Sequence, residues 1–321
     1  MPLFSVIVPA YNCGNYIEEA VESVFAQTYR DFELIIVNDG SSDDTESRLE
    51  RFRDRIKYVS QPNRGVSAAR NAGIRLSQGA LISFLDADDT WLPKKLSRTA
   101  EEAEAHPDCG IIASDLLIFN KHVVLNSSRF KDFPVENGRV AEKLLFHNWL
   151  TPSAVTVRRI CFDRVGNFDE EIGGCEDWLM WIRIALEFSI YHIPEVLVRY
   201  RVHPASATQS APENHFRSLL KAFEKIEKMD PSGENWPHLV RQHAFRVCMN
   251  RGVGNLSSLD LPLAREKFRL AINYKPKSAR ARLMLIIAWA PRSVLGFLKR
   301  ILNRARAFHT GLPSHVEGRF P

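Results

Sequence analysis

Three carboxylates follow an apolar run in the segment LISFLDADDTW, residues 81–91. Asp86, Asp88 and Asp89 carry like charges that repel, and burying a carboxylate is costly unless a partner compensates its charge. Two interpretations fit: an acidic turn that caps the next helix, or a cation site.

A second acidic pair, Glu176 and Asp177, stands at the head of the segment GGCEDWLMWIRIALEF, whose apolar residues recur at helical spacing. The helix dipole alone favours acids at a helix N-terminus. A carboxylate there can also act as a general base that takes the proton of a substrate hydroxyl. The preceding Gly173 and Gly174 permit close approach of the backbone.

Alternating strands and helices are predicted to position these acids. The expected strands are FSVIVPA, FELIIVNDG, IKYVSQ, ALISFLDADD and CGIIASD, with amphipathic helices between them. Thr90 is expected to cap a helix that has Pro93 in its first turn and runs to about residue 105. Near-continuous apolar strands alternating with helices predict an α/β fold with a mostly parallel sheet flanked by helices.

The predicted strands end in polar residues that would meet at one rim, since ligands of such sheets lie beyond the carboxyl ends of the strands. Each group is also compatible with an ordinary turn. The groups are Pro9, Tyr11 and Asn12; Asn38, Asp39 and Gly40; Asn63 and Arg64; and Asp86 and Asp88.

Six segments together resemble the family 2 glycosyltransferases, which have the GT-A fold. They are SVIVPAYNCGNYIEEAVESVFAQTY, ELIIVNDGSSDDT, NRGVSAARNAGI, ISFLDADDTW, GCEDWLMWIRIA and YRVHPASAT, and they span residues 3 to about 208. The resemblance rests on their order and spacing. Asn38 replaces an Asp that is common in the family, and its amide is expected to keep the hydrogen bonding.

The resemblance implies a nucleotide-sugar donor along the rim, with a UDP-sugar as the expected donor. Tyr11 would lie against the base, and Asp39 would hydrogen-bond the base or the ribose. The residues that the resemblance assigns to nucleotide binding are Pro9, Ala10, Tyr11, Asn12, Asp39, Asn63, Arg70 and Asp86.

The resemblance also implies the chemistry. Asp88 of the DxD motif would bind Mg²⁺ or Mn²⁺, with His203 as a further metal ligand or phosphate contact, and Arg201 would steady the departing phosphate. Asp177 would be the catalytic base of an inverting transfer, and Glu176 would orient Asp177 or the acceptor. The implied acceptor is a saccharide or a lipid-linked saccharide in surface polysaccharide or glycolipid biosynthesis.

Two other classes of function stay open. DADDT matches the DxDx[TV] pattern of haloacid-dehalogenase-like phosphatases, although that pattern normally lies on the first strand and three candidate strands precede it here. A non-catalytic sugar-binding or scaffold protein on the same fold is the other alternative.

The distribution of charge predicts two parts, a GT-A domain at 1–210 and a basic, helical C-terminal region at 211–321. The net charge is +5, yet residues 211–321 hold 20 Lys and Arg against 8 Asp and Glu. Within this region, 261–291 resembles a single tetratricopeptide-like hairpin, although such arrays need about three repeats. Residues 275–310 would either lie on an anionic membrane surface or pack on the catalytic domain; nucleic acid is not expected.

Composition favours the cytoplasm, with the inner face of the cell membrane as a peripheral location. Five cysteines without a CxxC pair argue against a disulfide framework or a zinc site. The N-terminus lacks the pattern of a signal peptide, and no apolar run reaches the roughly 18 residues of a spanning helix.

Overall fold

The computed structural model describes residues 1–120, 123–132, 135–204, 212–229 and 235–291. The chain divides into two compact units, Met1–Pro231 and Ser232–Pro321. The first unit contains the helix Pro212–Glu227 as well as all the glycosyltransferase-like segments, so it extends beyond residue 210, the predicted end of the GT-A domain.

One mixed sheet forms the centre of the first unit. The order of its strands is β3-β2-β1-β4-β8-β6-β9-β5, and β7 pairs with β6. The strands are β1 Phe4–Ala10, β2 Phe32–Asn38, β3 Lys57–Ser60, β4 Leu81–Phe84, β5 Thr90–Trp91, β6 Cys109–Asn120, β7 Val123–Asn126, β8 Val155–Arg158 and β9 Ser189–Arg201.

The pairing of the strands explains why the predicted polar residues share an edge. Strands β1 to β4 are mutually parallel, β8 is antiparallel to both β4 and β6, and β9 is parallel to β6. Strands β6 and β9 therefore run in the same direction as β4, and their carboxyl ends point to the same rim. The predicted α/β fold is confirmed, and the antiparallel β8 is a feature that the sequence pattern did not indicate.

Helices cover the sheet of the first unit. They are α1 Ile17–Phe25, α2 Thr45–Leu49, α3 Val66–Leu76, α4 Lys95–Ala105, α5 Arg129–Asp132, α6 Ala141–Phe146, α7 Arg159–Val165, α8 Glu176–Glu187 and α9 Pro212–Glu227, with 3₁₀ helices at Glu50–Arg55 and Pro152–Ala154.

The predicted helix start at Thr90 was wrong. Thr90 and Trp91 pair with Arg199 and Val198 of β9, which holds the backbone extended, and α4 begins only at Lys95. Trp91 also donates from Nε1 to the carbonyl of Ser153 at 2.7 Å. Tertiary pairing of this segment therefore overrides its local capping signal.

An aromatic cluster fixes α8 against the sheet. Phe84 of β4 packs edge-on against Phe168 at 5.3 Å between ring centroids, and Phe168 packs edge-on against Trp181 of α8 at 5.9 Å. On the neighbouring face, α3 approaches β1 so closely at Gly73 that an added Cβ would lie 2.4 Å from Ile7 Cγ2. These contacts set the positions of the residues on α3 and α8 that face the rim.

The second unit is helical in its described part. Its helices are α10 Trp236–Ser257, α11 Leu261–Tyr274 and α12 Ala279–Ile287. Ala264, Phe268 and Ala271 of α11 are fully buried. They lie in the segment with the tetratricopeptide-like pattern, so the small and aromatic residues of that pattern form its core.

In the described parts of the chain, no helix is both long enough and apolar enough to cross a membrane. Of the segment 275–310 predicted to contact a membrane surface, residues 292–310 lie outside the described residues.

Lys95 is expected to destabilise the fold near neutral pH. Its side chain is fully buried, and its Nζ donates to Thr99 Oγ1 at 3.1 Å. Burial lowers the pKa of Lys95 to about 7, so between pH 7 and 10.5 the unfolded chain binds a proton that the folded chain does not. Lys95→Met should therefore raise the free energy of unfolding by about 3 kcal/mol at pH 7, and the gain should shrink towards pH 10.

Urea unfolding of both proteins at pH 7, 8.5 and 10 measures this gain, with the exposed Lys94→Met as the matched control. A gain that does not change with pH, or a loss of stability at pH 7, would contradict the prediction.

Candidate active site

The acidic residues at the end of β4 are joined to those at the start of α8 by one arginine. Arg70 of α3 donates from Nη2 to Asp86 Oδ1 at 2.9 Å and from Nη1 to Glu176 Oε1 at 2.7 Å. Its side chain is only 3% exposed. Burial alone would lower the pKa of Arg70, but the charges of Asp86 and Glu176 raise it, so the group stays a cation. Arg70 thus joins Asp86, a predicted nucleotide residue, to Glu176 of the predicted catalytic pair.

Asp177 lies in the first turn of α8 beside this ion-pair cluster. The residue is partly buried. Burial and then the neighbouring charge of Glu176 raise the pKa of Asp177 to about 7, while Arg70 opposes the shift. A carboxyl with this pKa can both accept and release a proton near neutral pH, as a general base requires.

Glu176 is held in place from two sides. Its Oε1 accepts from Arg70, and its Oε2 accepts from the backbone N–H of Gly174 at 2.8 Å. Gly174 has φ of +93°, a region that glycine adopts without strain. The loop before it is tied to α3 because Asn71 donates to the Phe168 carbonyl and accepts from the Phe168 N–H, both at 2.9 Å. This loop therefore fixes the acidic pair on the rim.

The predicted metal and phosphate residues converge on Asp88. His203 Nε2 lies 2.9 Å from Asp88 Oδ2, and Arg201 donates from Nε to the Asp88 carbonyl at 2.8 Å. The guanidinium of Arg201 also donates to Glu19 Oε2 at 2.5 Å and lies over the ring of Phe119 at 4.5 Å. Burial and the charge of Asp86 raise the pKa of Asp88, so negative charge at this point is under-compensated.

Three further residues support this group, and sequence reasoning missed two of them, Tyr16 and Glu19. Asp89 is fully buried; it accepts from Ser153 Oγ at 2.5 Å and from the Arg201 N–H at 2.8 Å. It thereby joins the DxD turn to the end of β9. The Tyr16 ring packs against the His203 ring at 4.8 Å between centroids, with the ring planes tilted by 36°. The run of acids pointed to Asp89, but neither Tyr16 nor Glu19 carries a sequence signal for this contact.

The donor set fits a divalent cation that a substrate helps to bind. Asp86 and Asp88 are partly exposed carboxylates two residues apart, with His203 beside them. Among the residues that the structure describes, no three His, Cys, Asp or Glu side chains form a cluster able to hold a metal. These residues therefore suit Mg²⁺ or Mn²⁺ only with phosphate oxygens completing the coordination.

Asp39, the predicted contact to the base or ribose, organises the loop after β3. Its carboxylate accepts from Gln61 Nε2 at 2.7 Å, from the Arg64 N–H at 3.0 Å and from the Gly65 N–H at 2.8 Å. A carboxylate accepts about four hydrogen bonds. Three are thus used within the protein, which leaves Asp39 the capacity to accept one more.

The remaining predicted nucleotide residues lie at the ends of β1 and β3. Pro9 and Ala10 are buried in β1, Tyr11 is 53% exposed, and Asn63 is exposed. Asn12 has φ of +49° and accepts from the Ser42 N–H at 2.8 Å, so its side chain holds the loop after β2. The aromatic ring of Tyr11 is therefore accessible to a ligand beside this loop.

Comparison with known proteins identifies the family. The family model described as "Glycosyl transferase family 2" matches residues 5–155. The glycosyltransferase RT0329 of Rickettsia typhi is 32% identical over 238 residues, which cover 71% of this chain and 74% of that protein. This chain therefore belongs to the family 2 glycosyltransferases.

Solved structures show the same fold. Staphylococcus aureus TarS 1–349 in complex with UDP-GlcNAc has a TM-score of 0.67 and 21% identity, over 98% of this chain and 95% of that chain. The mannosyltransferase PcManGT from Pyrobaculum calidifontis, in complex with GDP-Man and Mn²⁺, has a TM-score of 0.62 and 19% identity, over 97% and 81%. The expected GT-A-like fold is thereby confirmed.

The alternative functions are not favoured by these findings. The DADDT segment follows β4, the fourth strand of the chain, whereas the phosphatase pattern belongs on the first strand of its fold. Family membership favours a transferase over both a phosphatase and a scaffold protein.

Removal of Arg70 is expected to destabilise the protein strongly. Arg70→Met leaves Asp86 and Glu176 without their buried counter-charge, which should cost about 3–5 kcal/mol at pH 8.

Denaturant unfolding at pH 8 tests this prediction. The control is Arg64→Met, which removes the exposed ion pair with Glu170 at 2.8 Å and should cost at most about 1 kcal/mol. Equal losses for the two variants would show that the Arg70 bridge does not stabilise the fold.

Proposed function

We propose that the protein is an inverting, metal-dependent glycosyltransferase that moves a sugar from a nucleotide-diphosphate sugar to an acceptor hydroxyl. The observation that carries the proposal is the Arg70 bridge, because it places the acids of the donor side and those of the acceptor side in one cluster. The proposed product belongs to surface polysaccharide or glycolipid biosynthesis.

Asp177 is the proposed catalytic base. Its carboxylate takes the proton of the acceptor hydroxyl while the hydroxyl oxygen attacks the anomeric carbon. The bond from the anomeric carbon to the phosphate oxygen breaks, and the nucleotide diphosphate leaves with the electron pair. Glu176, fixed by Arg70 and the Gly174 N–H, orients Asp177 and the acceptor.

Asp88 and His203 are the proposed residues that hold Mg²⁺ or Mn²⁺. When bound, the dication would neutralise charge on the leaving diphosphate. The Mn²⁺ in the PcManGT complex supports this proposal. Arg201 is the proposed phosphate contact. Its guanidinium would leave its ion pair with Glu19, whose side chain is half exposed, and bind a phosphate oxygen instead.

A UDP-sugar is the proposed donor. Tyr11 would stack on the base, Asp39 would accept one hydrogen bond from the base or ribose, and Asp86 would face the ribose. Pro9, Ala10, Asn12 and Asn63 would complete the floor and walls. The similarity of fold to TarS in complex with UDP-GlcNAc supports this assignment.

The proposed division of labour places catalysis in 1–210 and gives the basic region 211–321 an accessory role. Leu283, Ile286 and Trp289 of the second unit are 56–68% exposed, and the guanidinium of Arg265 lies 4.1 Å from the Trp289 ring centroid. Exposed apolar groups beside cations support contact of this region with an anionic membrane surface. A lipid-linked saccharide acceptor at the cytoplasmic face fits such contact.

Asp88→Asn should abolish the metal-dependent part of donor binding. The amide lacks the charge that holds the dication, so Mn²⁺ should no longer raise the Tm shift produced by UDP-sugars. A thermal-shift panel of nucleotide sugars with and without Mn²⁺ measures this effect. The control is Asp163→Asn on α7, which follows the carboxyl end of the antiparallel β8 at the opposite rim of the sheet. An unchanged Mn²⁺ effect in Asp88→Asn would contradict the assignment.

Asp177→Asn should spare donor binding and lower transfer by about 10²–10⁴-fold. In the unchanged protein kcat/KM should rise as the pH passes through about 7 and then level off, since only the deprotonated carboxyl accepts the proton. The variant should lose this pH step. Full turnover by Asp177→Asn, with the donor-dependent Tm shift intact, would remove Asp177 from the base role.

A further inference from the structure

The hairpin formed by the end of β6 and by β7 carries exposed aliphatic side chains. Strand β7 pairs with β6 through Phe119 opposite Val124 and Asn120 opposite Val123. Val123, Val124 and Leu125 are 64%, 54% and 56% exposed. Successive residues of a strand point to opposite faces, so both faces of this strand project beyond the core.

Hydrogen bonds hold the base of the hairpin in place, although the side chains of β7 are exposed. Asp115 of β6 is 4% exposed and accepts from Ser128 Oγ at 2.5 Å, from the Arg129 N–H at 2.9 Å and from the Phe130 N–H at 3.1 Å. A buried carboxylate with several hydrogen bonds fixes the chain that returns from the hairpin. The aliphatic groups are therefore presented in a defined position.

This position is beside the candidate active site. Strand β6 runs in the same direction as β4, so its carboxyl end lies at the rim that bears Asp86 and Asp88. The Phe119 ring contacts the Arg201 guanidinium at 4.5 Å, and Phe119 pairs with Val124 across the hairpin. A surface that binds the hairpin would thus meet the rim of the site.

The chemistry of the hairpin selects its partner. Aliphatic side chains offer a sugar no hydrogen bonds, whereas acyl chains solvate them well. The sequence from Asn120 to Asp132 holds three cations, Lys121, Arg129 and Lys131, against one acid, Asp132. A second copy of the hairpin would bring these cations together, while anionic headgroups would attract them.

We propose that the β6–β7 hairpin is a lipid-contact site that places Val123, Val124 and Leu125 among the acyl chains of an anionic bilayer. The contact turns the rim of the site towards the bilayer. Binding of the hairpin to lipid does not depend on the identity of the transferred sugar or on residues 275–310.

A polarity-sensitive label tests the contact directly in the full-length chain. The described cysteines are all buried, so a thiol introduced by Leu125→Cys can be labelled selectively under native conditions. Ile160→Cys is the control, because Ile160 is 51% exposed and follows the carboxyl end of β8, which is antiparallel to β4 and so ends at the rim opposite Asp86 and Asp88. We expect a blue shift of the label at 125, and none at 160, on vesicles of phosphatidylglycerol and phosphatidylcholine.

Three results would overturn the proposal. They are no shift at 125, equal shifts at 125 and 160, and a shift at 125 that grows with protein concentration without vesicles, which would indicate a second copy as the partner. An equal shift on vesicles of phosphatidylcholine alone would overturn the requirement for anionic lipid.

Substitution of the aliphatic residues provides an independent test. Val123→Asp combined with Leu125→Asp should lower the vesicle partition coefficient by about tenfold or more in sedimentation, whereas Ile160→Asp should leave it unchanged. Circular dichroism melting checks that each variant is folded. Vesicle binding and sugar transfer are measured separately. A double variant that keeps its transfer activity but no longer binds vesicles still supports the lipid contact. Unchanged vesicle binding by the double variant contradicts it.

Discussion

The buried pairing of Arg70 with Asp86 and Glu176 is the interaction on which the arrangement of the site depends. The buried Arg70 guanidinium and Glu176 carboxylate would each be costly alone, and the fork of donors on Arg70 also reaches the partly exposed Asp86. Because Arg70 lies on α3, the position of that helix against β1 sets the separation of the two acidic groups. The aromatic contacts of Phe168 and Trp181 hold α8 at the other end of the same bridge.

Much of the fold and the residue types of the site could be predicted from the sequence. Strand β1 has the predicted bounds, Phe4–Ala10, because its apolar run is bounded by clear turn residues. Asp86 and Asp88 follow β4, and their place at the rim follows from the direction of that strand, while Glu176 and Asp177 begin α8, as the helical spacing predicted. The family resemblance then supplied roles that composition alone does not indicate.

The pairings within the site could not be predicted, since they join residues distant along the chain. Arg70 and Glu176 are 106 residues apart, and Asp88 and His203 are 115 apart. Nothing in the local sequence around Thr90 indicates that this segment pairs with β9 as a strand. The same holds for Glu19, which looks like an ordinary exposed helix residue until Arg201 reaches it from the end of β9.

The balance of charge at the rim explains why donor binding and metal binding should depend on each other. Asp86, Asp88, Glu176 and Asp177 lie close together, and Arg70 is the arginine that contacts two of them through their side chains. Arg201 contacts Asp88 through its backbone carbonyl and is itself paired with Glu19. A diphosphate would add further negative charge at the place where the pKa of Asp88 is already raised by burial and by Asp86. Repulsion would oppose its entry unless a dication came with it, so a metal and a nucleotide should each strengthen the binding of the other.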